Sequence, residues 1–400
     1  MDSLGSWDMN EYRRIGSFAK PITRKNLDKS SSTDVYSVTK YNGFVRSLDY
    51  FKKQVFSRDL STYKIVKKGE FAYSTIHLDE GAIGLLRDDE ALISPMYTVF
   101  EVDKSVDIFY IDHLISSDFL LNKYALIGQG SINRRKSIPF SSFADLELRI
   151  PSLGEQKKIA EILTGIDTLI KKINVEIKKI QILKKGIIKK FLKEGTNQIN
   201  IQTVDSKNIP LNWKIFKLGE ICKFTQGVQI PLNQTTRKEQ TGFIRYLYIN
   251  DFSSDDKKLF IRNDFPSKIV KKKDLVMANT GHTAGTIFRG KEGVLSNNAF
   301  KISFPNVINS DYLYYYLSTE EYWLDVRRMF NTAGQPHVGH GNIANIKFLC
   351  PPLEEQEKIV SIINSIELNL TKKYHKVSKL ISTKKSLIKE LISDGKRVII

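Results

Sequence analysis

A tandem repeat that runs into a long heptad helix constrains this chain more than any other feature. Residues 151–166 read PSLGEQKKIAEILTGI and residues 351–366 read PPLEEQEKIVSIINSI, an offset of 200 positions without a gap. The motif KIVKK also occurs twice, at residues 64–68 and 268–272. A repeat that extends over a whole chain predicts two copies of one structural unit. We call them copy one (residues 1–194) and copy two (residues 195–392).

Two apolar rows with a spacing of seven residues follow each of the two proline motifs. The rows are Ile159, Ile166, Ile173, Ile180, Ile187 with Leu163, Ile170, Ile177, Phe191 in copy one, and Ile359, Ile366, Leu380, Leu387 with Ile363, Leu370, Val377, Leu391 in copy two. Such rows predict a coiled-coil seam on helices of about 38 residues, each about 57 Å long. Lys184 and Lys384 interrupt the same row at equivalent positions, and we expect each to snorkel or to fix the register.

The segments before each helix predict a mixed domain. Short runs rich in β-branched and aromatic residues predict strands, namely VYSVT, GFIRYLYI, DLVMANT, GTIFRG and AFKISF, whereas residues 109–121 and 312–330 have helical content. The fold class is therefore α+β, a tandem duplication of a mixed α/β domain plus a long helix. The predicted order is a first mixed domain (1–150), a central helix (151–194), a polar linker (195–212), a second mixed domain (213–350) and a C-terminal helix (351–392).

The charge balance points to a polyanionic partner. Lys and Arg number 62 against 44 acids, a formal net charge of +18. Such an excess attracts nucleic acid at long range, although a lysine-rich proteome would also produce it. The chain has neither an 18-residue apolar run nor a basic-then-apolar start, and Cys222 and Cys350 lie far apart. We therefore expect a cytoplasmic chain without a membrane segment or a disulfide.

Three short motifs raise the possibility of catalysis, and each is weak. Glu155-Gln156-Lys157 resembles the E-x-K of nucleases, but copy two has Glu357 in place of the lysine. Residues 285–291 match G-x-x-x-x-G-K, yet Glu292 replaces the Ser or Thr of a phosphate loop. His337 and His340 lack a third metal ligand. We predict no catalytic site, no metal site and no cofactor bound by this chain.

These features together resemble the specificity subunits of type I restriction–modification systems. The resemblance is carried by the duplicated PL-x-EQ-x-x-I entry to a long helix, by the Trp-x4-Leu-Gly-Glu opening at residues 213–220 and by Gly334-Gln335 before the second helix. It implies two target-recognition domains that each recognise half of a split site in double-stranded DNA. It also implies an antiparallel coiled coil, two methyltransferase subunits as partners, and separate restriction and translocase subunits that carry out cleavage.

Candidate DNA contacts can be ranked by side-chain chemistry, because Asn, Gln and Arg recognise base edges while Lys mostly contacts phosphate. In copy one the candidates are Asn133, Arg134, Arg135 and Lys136. In copy two they are Asn279, Thr280 and His282 in one polar loop, and Gln335, His337 and His340 in another. Lys67, Lys68 and Lys271–Lys273 fit phosphate contacts and a plain solvated surface equally well.

A second function class stays open at this point. A non-catalytic coiled-coil adaptor that binds RNA or an acidic protein would share the long helices and the basic charge. A fused restriction–methylation enzyme is disfavoured, because the chain has no Asn/Asp-Pro-Pro-aromatic tetrad and no G-x-G strand turn. The sequence therefore favours a subunit that recognises DNA and leaves catalysis to its partners.

Overall fold

A computed structural model describes residues 11–27, 34–40, 42–128, 137–196, 200–204, 207–330 and 336–393. The chain divides into two compact units: unit 1 contains Met1–Val175 and Tyr374–Ile400, and unit 2 contains Glu176–Lys373. Both divisions fall inside a long helix. Each unit therefore contains one mixed domain, the first part of the helix that follows it, and the last part of the helix from the other copy.

The mixed domain of copy one contains ten short strands and four short helices among the described residues. The strands are β1 (Tyr12–Arg14), β2 (Ala19–Ile22), β3 (Tyr36–Thr39), β4 (Gly43–Arg46), β5 (Lys64–Lys67), β6 (Phe71–Ser74), β7 (Ile83–Leu85), β8 (Glu90–Ile93), β9 (Tyr97–Val102) and β10 (Glu147–Arg149). The helices are α1 (Ser47–Phe51), α2 (Ile108–Ile115), α3 (Asp118–Ile127) and α4 (Phe140–Ala144), and the long helix α5 (Leu153–Glu194) follows them.

Copy two repeats the main order of these elements, with an added hairpin (β11 and β12) and a short helix α6, and without a described helix that matches α1. Its strands are β11 (Ile201–Val204), β12 (Lys207–Pro210), β13 (Lys214–Lys217), β14 (Lys223–Gln226), β15 (Phe243–Leu247), β16 (Leu259–Arg262), β17 (Ile269–Val270), β18 (Leu275–Ala278), β19 (Ile287–Phe288), β20 (Gly293–Leu295), β21 (Ala299–Ser303) and β22 (Lys347–Cys350). Its helices are α6 (Leu218–Ile221), α7 (Ser310–Tyr316), α8 (Glu320–Arg328), α9 (His340–Ala344) and the long α10 (Leu353–Ile388), which continues as a π-helical turn over Lys389–Ser393.

The sheets confirm the α+β prediction and the duplication. The antiparallel sheet β2-β9-β6-β7 of copy one corresponds to β14-β21-β18-β19 of copy two, and the pair β1-β10 corresponds to β13-β22. Every strand predicted from the sequence is present, because β3, β15, β18, β19 and β21 lie within the five predicted segments. The main core of each unit packs these sheets against the domain helices and the first turns of the long helix.

The two long helices run antiparallel within each unit. In unit 1 the Lys384 amine lies 2.7 Å from both carboxylate oxygens of Asp167. In unit 2 the Lys373 amine lies 2.5 Å from Glu176, and Lys184 forms an ion pair with Glu367. As the residue number rises along α5, from Asp167 to Glu176 to Lys184, the number of the partner residue on α10 falls. Only an antiparallel pair of helices produces this pattern. All residues of the predicted apolar rows are buried or half-buried, so the predicted seam is confirmed.

Lys184 and Lys384 therefore contribute to the register of the seam. The two pairs, Lys184 with Glu367 and Asp167 with Lys384, are related by the same offset of 200 residues. A lysine in an apolar row tolerates only those registers that bring an acid within reach. The repeat thus places one such pair in each unit.

The segment predicted as a linker is folded where the structure describes it. Strands β11 and β12 form an antiparallel hairpin with Ile201 opposite Pro210 and Val204 opposite Lys207. Ile209 is buried in the core of unit 2, and the Gln202 amide donates to the carbonyl oxygens of Leu211 and Trp213 at 2.8 and 2.9 Å. The polar composition of residues 195–212 predicts a linker, but the apolar side chains of Ile209 and Val204 hold this hairpin against the core.

The identical glutamine of each motif fixes the long helix to its own domain. The Gln156 carbonyl oxygen accepts a hydrogen bond from the backbone N–H of Asp107, which caps α2, at 2.7 Å, and its amide donates to the Pro151 carbonyl at 2.7 Å. Gln356 makes the same two bonds, with Asn309 at the cap of α7 and with Pro351, both at 2.8 Å. Both glutamines are buried.

The identical glutamate of each motif holds the end of the helix from the other copy. In unit 2 Glu355 accepts from the backbone N–H of Thr196 at 3.0 Å and from the Trp213 indole at 2.9 Å. Gly195, with φ +75°, lies so close that a Cβ there would be 2.5 Å from Glu355. In unit 1 Arg149 bridges Glu155 at 3.3 Å and the Leu391 carbonyl at 3.1 Å. These contacts explain the Glu-Gln motif structurally, without a nuclease role.

A buried histidine links the domain of unit 1 to helix α5. His113 of α2 is 5% exposed, and its Nε2 lies 3.1 Å from the Thr164 hydroxyl. Burial lowers the pKa of His113 to about 4; the charges of Lys384 and Arg87 lower it further, and the Asp167 carboxylate opposes them. Copy two has Tyr315 at this position, whose hydroxyl donates to Asn364 at 2.6 Å.

We expect unit 1 to lose stability as the pH falls from about 6.5 to about 4. The unfolded chain binds a proton on His113 near pH 6.5 and the folded chain only near pH 4, so protons favour unfolding in this window by up to about 3 kcal/mol. Urea unfolding at pH 7 and pH 5 should show this loss in the native chain and a smaller one in His113→Tyr. The exposed His77→Tyr is the matched control, and equal pH slopes in all three would contradict the assignment.

Candidate nucleic-acid interface

Two polar segments predicted separately in copy two lie side by side. The turn between β18 and β19, residues 279–285 (the copy-two turn), pairs with residues 336–338. The Val338 N–H donates to the Asn279 carbonyl at 2.9 Å, and the Gly281 N–H donates to the Pro336 carbonyl at 2.8 Å. The fold therefore brings Asn279, Thr280 and His282 together with His337, although 57 positions separate Thr280 from His337.

The side chains of the copy-two turn differ in what they offer to a ligand. Asn279 is buried, and its side chain accepts from the Thr280 hydroxyl at 3.0 Å. Thr280 is half-buried, and its hydroxyl lies 3.4 Å from Nδ1 of His337. His282 and His337 are exposed. Asn279 therefore shapes the turn, while the two histidines and Thr280 present donors and acceptors at its surface.

His340, a third histidine of the predicted set, packs inside an aromatic cluster. Its ring stacks 6.0 Å from Phe224 at 18° and meets Phe300 edge-on at 4.6 Å and 85°. Burial lowers the pKa of His340, with the charge of His337 acting in the same direction. Copy one has Phe140 at the equivalent position, 6.0 Å from Phe100. This surrounding suits a packing residue better than a base contact.

Copy one has an equivalent polar turn that the sequence reasoning missed. Residues 75–81 (the copy-one turn) connect β6 and β7, and the Ile138 N–H donates to the Thr75 carbonyl at 2.8 Å, as Val338 does to Asn279. His77 is exposed there and lies 3.0 Å from Glu80. The offset of 204 residues given by the KIVKK repeat could have located this turn. Asn133, Arg134, Arg135 and Lys136 in copy one and Gln335 in copy two lie outside the described residues.

The lysine-rich segments of both copies form equivalent tight turns. The Lys67 N–H donates to the Glu70 carboxylate and the Lys271 N–H donates to Asp274, both at 2.9 Å. Lys68 and Lys271–Lys273 are exposed, and Lys68 lies 3.2 Å from Asp89. Their ammonium groups are accessible to phosphate, and the backbone of each turn is held by an acid.

The residues that resemble a phosphate loop form a strand, as predicted. Residues 285–291 contain β19, and Lys291 forms a 2.8 Å ion pair with Asp255. Within the described ranges, the His, Cys, Asp and Glu side chains form no group of three or more that could hold a metal ion. The same ranges contain no helix that is long and apolar enough to cross a membrane.

A family model matches this chain twice. The type I restriction modification DNA specificity domain covers residues 10–179 and 210–379, one match in each copy. The chain belongs to this family. The two matches contain both Glu-Gln motifs and both polar turns.

Relatives and solved structures agree with this family. The chain is 25% identical to the putative type I restriction enzyme MjaX specificity subunit of Methanocaldococcus jannaschii over 94% of this chain and 87% of that protein. It is 29% identical to the MjaVIII specificity subunit of the same organism over 52% of this chain, and this match spans about half (48%) of that relative. The S subunit from M. genitalium has the same fold, with a TM-score of 0.58 at 14% identity over 95% of both chains.

A second solved structure extends the agreement in fold. A chain from a study of complex assembly and conformational transition of the type I R-M system aligns with a TM-score of 0.60 at 14% identity, over 95% of this chain and 96% of that chain. The duplicated architecture is therefore shared over nearly the whole length.

Proposed function

We propose that this chain is the DNA sequence-specificity subunit of a type I restriction–modification complex. Each copy recognises one half of a bipartite, asymmetric site in double-stranded DNA. The chain is non-catalytic and holds no cofactor; it docks two methyltransferase subunits and the restriction and translocase subunits, which perform the chemistry in the cytoplasm.

This proposal is supported by two domains that are attached to their long helices in the same way but have different polar turns. Gln156 and Gln356 make the same hydrogen bonds in the two units, so the attachment of each domain to its helix is the same. The turns at the equivalent position differ in chemistry: TIHLDEG in copy one has two acids, and NTGHTAG in copy two has none. Two domains that share a frame and differ in the side chains they present are suited to two different DNA half-sites.

Substitutions confined to one copy should change only one half-site. We expect Arg134→Ala with Arg135→Ala to relax the half recognised by copy one, and Gln335→Ala with His337→Ala to relax the other half. Loss of a bidentate base contact costs about 1–3 kcal/mol, a fall of about 5- to 150-fold in discrimination. Methylation sequencing of cells that carry each variant with its methyltransferase measures both halves at once.

The control for this experiment is His340→Phe, which installs the residue of copy one in the aromatic cluster. It should leave both halves of the methylated motif unchanged, because His340 packs against Phe224 and Phe300. A simultaneous change of both halves in either double variant would contradict the assignment of one half-site to each copy.

A further inference from the structure

One segment of copy one exposes a cluster of large apolar side chains. Between the buried residues Ser47 and Tyr63, the side chains of Leu48, Tyr50, Phe51 and Val55 are 55%, 48%, 39% and 47% exposed. The Tyr50 and Phe51 rings form an edge-to-face pair with centroids 4.9 Å apart. Exposed apolar clusters of this kind mark contact surfaces more often than isolated exposed residues do.

The structure holds this segment at both of its ends. On the N-terminal side Ser47 is fully buried, its N–H donates to the Val35 carbonyl at 2.9 Å, and its hydroxyl lies 2.9 Å from that of Ser37. On the C-terminal side Phe56 packs against the cluster of Val35, Tyr63 and Leu92. The exposure of the intervening side chains is therefore a property of a fixed turn.

Lys52 stands at a backbone position that favours glycine. Among the described residues it is the one non-glycine with positive φ, at +52°, and it caps the C-terminal end of α1 with its N–H donating to the Leu48 carbonyl at 2.9 Å. Glycine usually occupies this place because it has no Cβ to strain. Strained positions that keep a functional side chain cluster at binding sites.

The charge around the exposed rings suits a polyanion. Residues 46–58 (the 46–58 segment) contain four cations, namely Arg46, Lys52, Lys53 and Arg58, and one acid, Asp49. Lys52 and Lys53 are both exposed beside Phe51. Lysine is depleted at the centre of protein–protein interfaces, whereas lysines next to apolar wedges are typical of proteins that bind and bend DNA.

The corresponding connection of copy two has a different character. In copy one this connection leads to the KIVKK motif from β3, next to which Val35 pairs with Leu92 of β8. In copy two it leads to the second KIVKK motif from β15, which pairs with β20. In copy two the longest exposed run of this connection, residues 253–258, is SSDDKK, with two acids, two lysines and no apolar side chain. Residues 262–264, 266 and 267 are also exposed, and the two aromatic residues of this stretch, Phe252 and Phe265, are half-buried. A pair of exposed aromatic rings next to two exposed lysines is thus a feature of copy one that the described connection of copy two lacks.

The 46–58 segment begins near the copy-one turn. A Cβ on Gly81, in that turn, would lie 3.4 Å from the Lys40 carbonyl at the end of the β3–β4 hairpin, and a Cβ on Gly84 would lie 3.0 Å from Gly43. Strand β4 leads from Gly43 to Arg46. The distance from Gly43 to Arg46 along the strand is about 10 Å, which is about three base-pair steps of a duplex.

From these observations we infer that the 46–58 segment is a second DNA contact of copy one, next to its half-site. Lys52, Lys53 and Arg58 contact phosphates, while Tyr50 and Phe51 pack into the groove against a base step. This inference rests on the proposed function. It adds to that function a contact that recognises the shape and deformability of the DNA. The segment would bind its half-site more tightly where the neighbouring base step unstacks easily.

The test measures binding of the full chain, assembled with its methyltransferase, to a duplex of about four helical turns that carries the site mapped by methylation. Tyr50→Ser with Phe51→Ser should weaken binding about 10-fold, within the range for loss of base stacking. Lys52→Gly with Lys53→Ser should reduce the slope of log affinity against log salt by about two. Lys52→Gly alone should raise the melting temperature while it weakens binding, which a purely structural lysine would not do.

The matched control is Lys257→Ser with Lys258→Ser, which removes two adjacent exposed lysines from the connection of copy two. We expect less than a twofold change there, about the scatter of near-neutral surface substitutions. Equal binding by the native complex and the copy-one variants would overturn the inference and leave the proposed function intact. Variants that bind DNA normally but lose the methyltransferase would also overturn it, in favour of a protein contact. Failure of the native complex to bind duplex DNA would instead refute the proposed function.

Discussion

Replacing Gln356 by leucine should lower the free energy of unfolding of unit 2 by about 4 kcal/mol, the sum expected from leaving two or three buried polar groups without partners. Gln356 is fully buried. Its loss removes the acceptor of the Asn309 N–H and the donor to the carbonyl oxygens of Pro351 and Val307. Leucine matches the size of the side chain and can replace none of these bonds. Gln156→Leu should have the same effect on unit 1 through Asp107 and Pro151.

Hydrogen exchange of the Asn309 amide gives the most direct measurement. It should lose protection in Gln356→Leu and keep it in the control Glu357→Leu, an exposed neighbour on the same helix. An exposed substitution of this kind changes stability by no more than about 0.5 kcal/mol. Equal protection in the two variants would show that Gln356 is not what joins α7 to α10.

The parts of the fold that the sequence predicts correctly are those that depend on local periodicity. Ile159, Leu163 and Ile166 repeat at heptad spacing, and this spacing alone requires a helix with one apolar face. Strands β18 and β21 are short runs of apolar residues bounded by polar turns, so their existence also follows from nearby residues. The repeat then extends each assignment from one copy to the other.

The parts that could not be predicted depend on contacts between distant residues. Glu355 is recognisable as a motif residue, but its partners Thr196 and Trp213 are 159 and 142 positions away. His340 is a candidate ligand by its residue type, and its ring contacts with Phe224 and Phe300 depend on residues that are distant in the sequence. The β11–β12 hairpin is polar enough to resemble a linker, and only the contacts of Ile209 and Val204 with the core show otherwise.

A chain that ends after Thr196 should recognise an inverted repeat of the copy-one half-site. Unit 1 needs the helix segment 374–393 from copy two, and this fragment lacks it. A second molecule of the fragment can supply residues 174–193 in its place, because the offset of 200 equates Ile187, Ile188 and Phe191 with Leu387, Ile388 and Leu391. Lys184 of one molecule would then meet Asp167 of the other, as Lys384 does in the full chain.

A fragment that contains only copy two (residues 195–392) should form a weaker homodimer than the copy-one fragment, because of the charges on the helix seam. In the full chain Glu176 forms an ion pair with Lys373 at 2.5 Å. A dimer of copy one places Glu176 opposite Ile173, which loses the ion pair without adding repulsion. A dimer of copy two places Lys376 opposite Lys373 twice, and like charges that face each other on paired helices destabilise the pair.

Methylation mapping in cells that carry the fragment with the methyltransferase measures this prediction. Two identical domains related by a twofold axis require a symmetric site, so the methylated motif must become palindromic. Association of separate molecules costs about 4–15 kcal/mol that the tandem linkage avoids, so dimer formation should depend on concentration. The control is the same fragment with Lys184→Glu, which places an acid opposite Asp167 and should abolish both dimer and methylation. An asymmetric motif, or methylation of a single half-site by the native fragment, would contradict the equivalence of residues 174–193 and 374–393 on which the prediction depends.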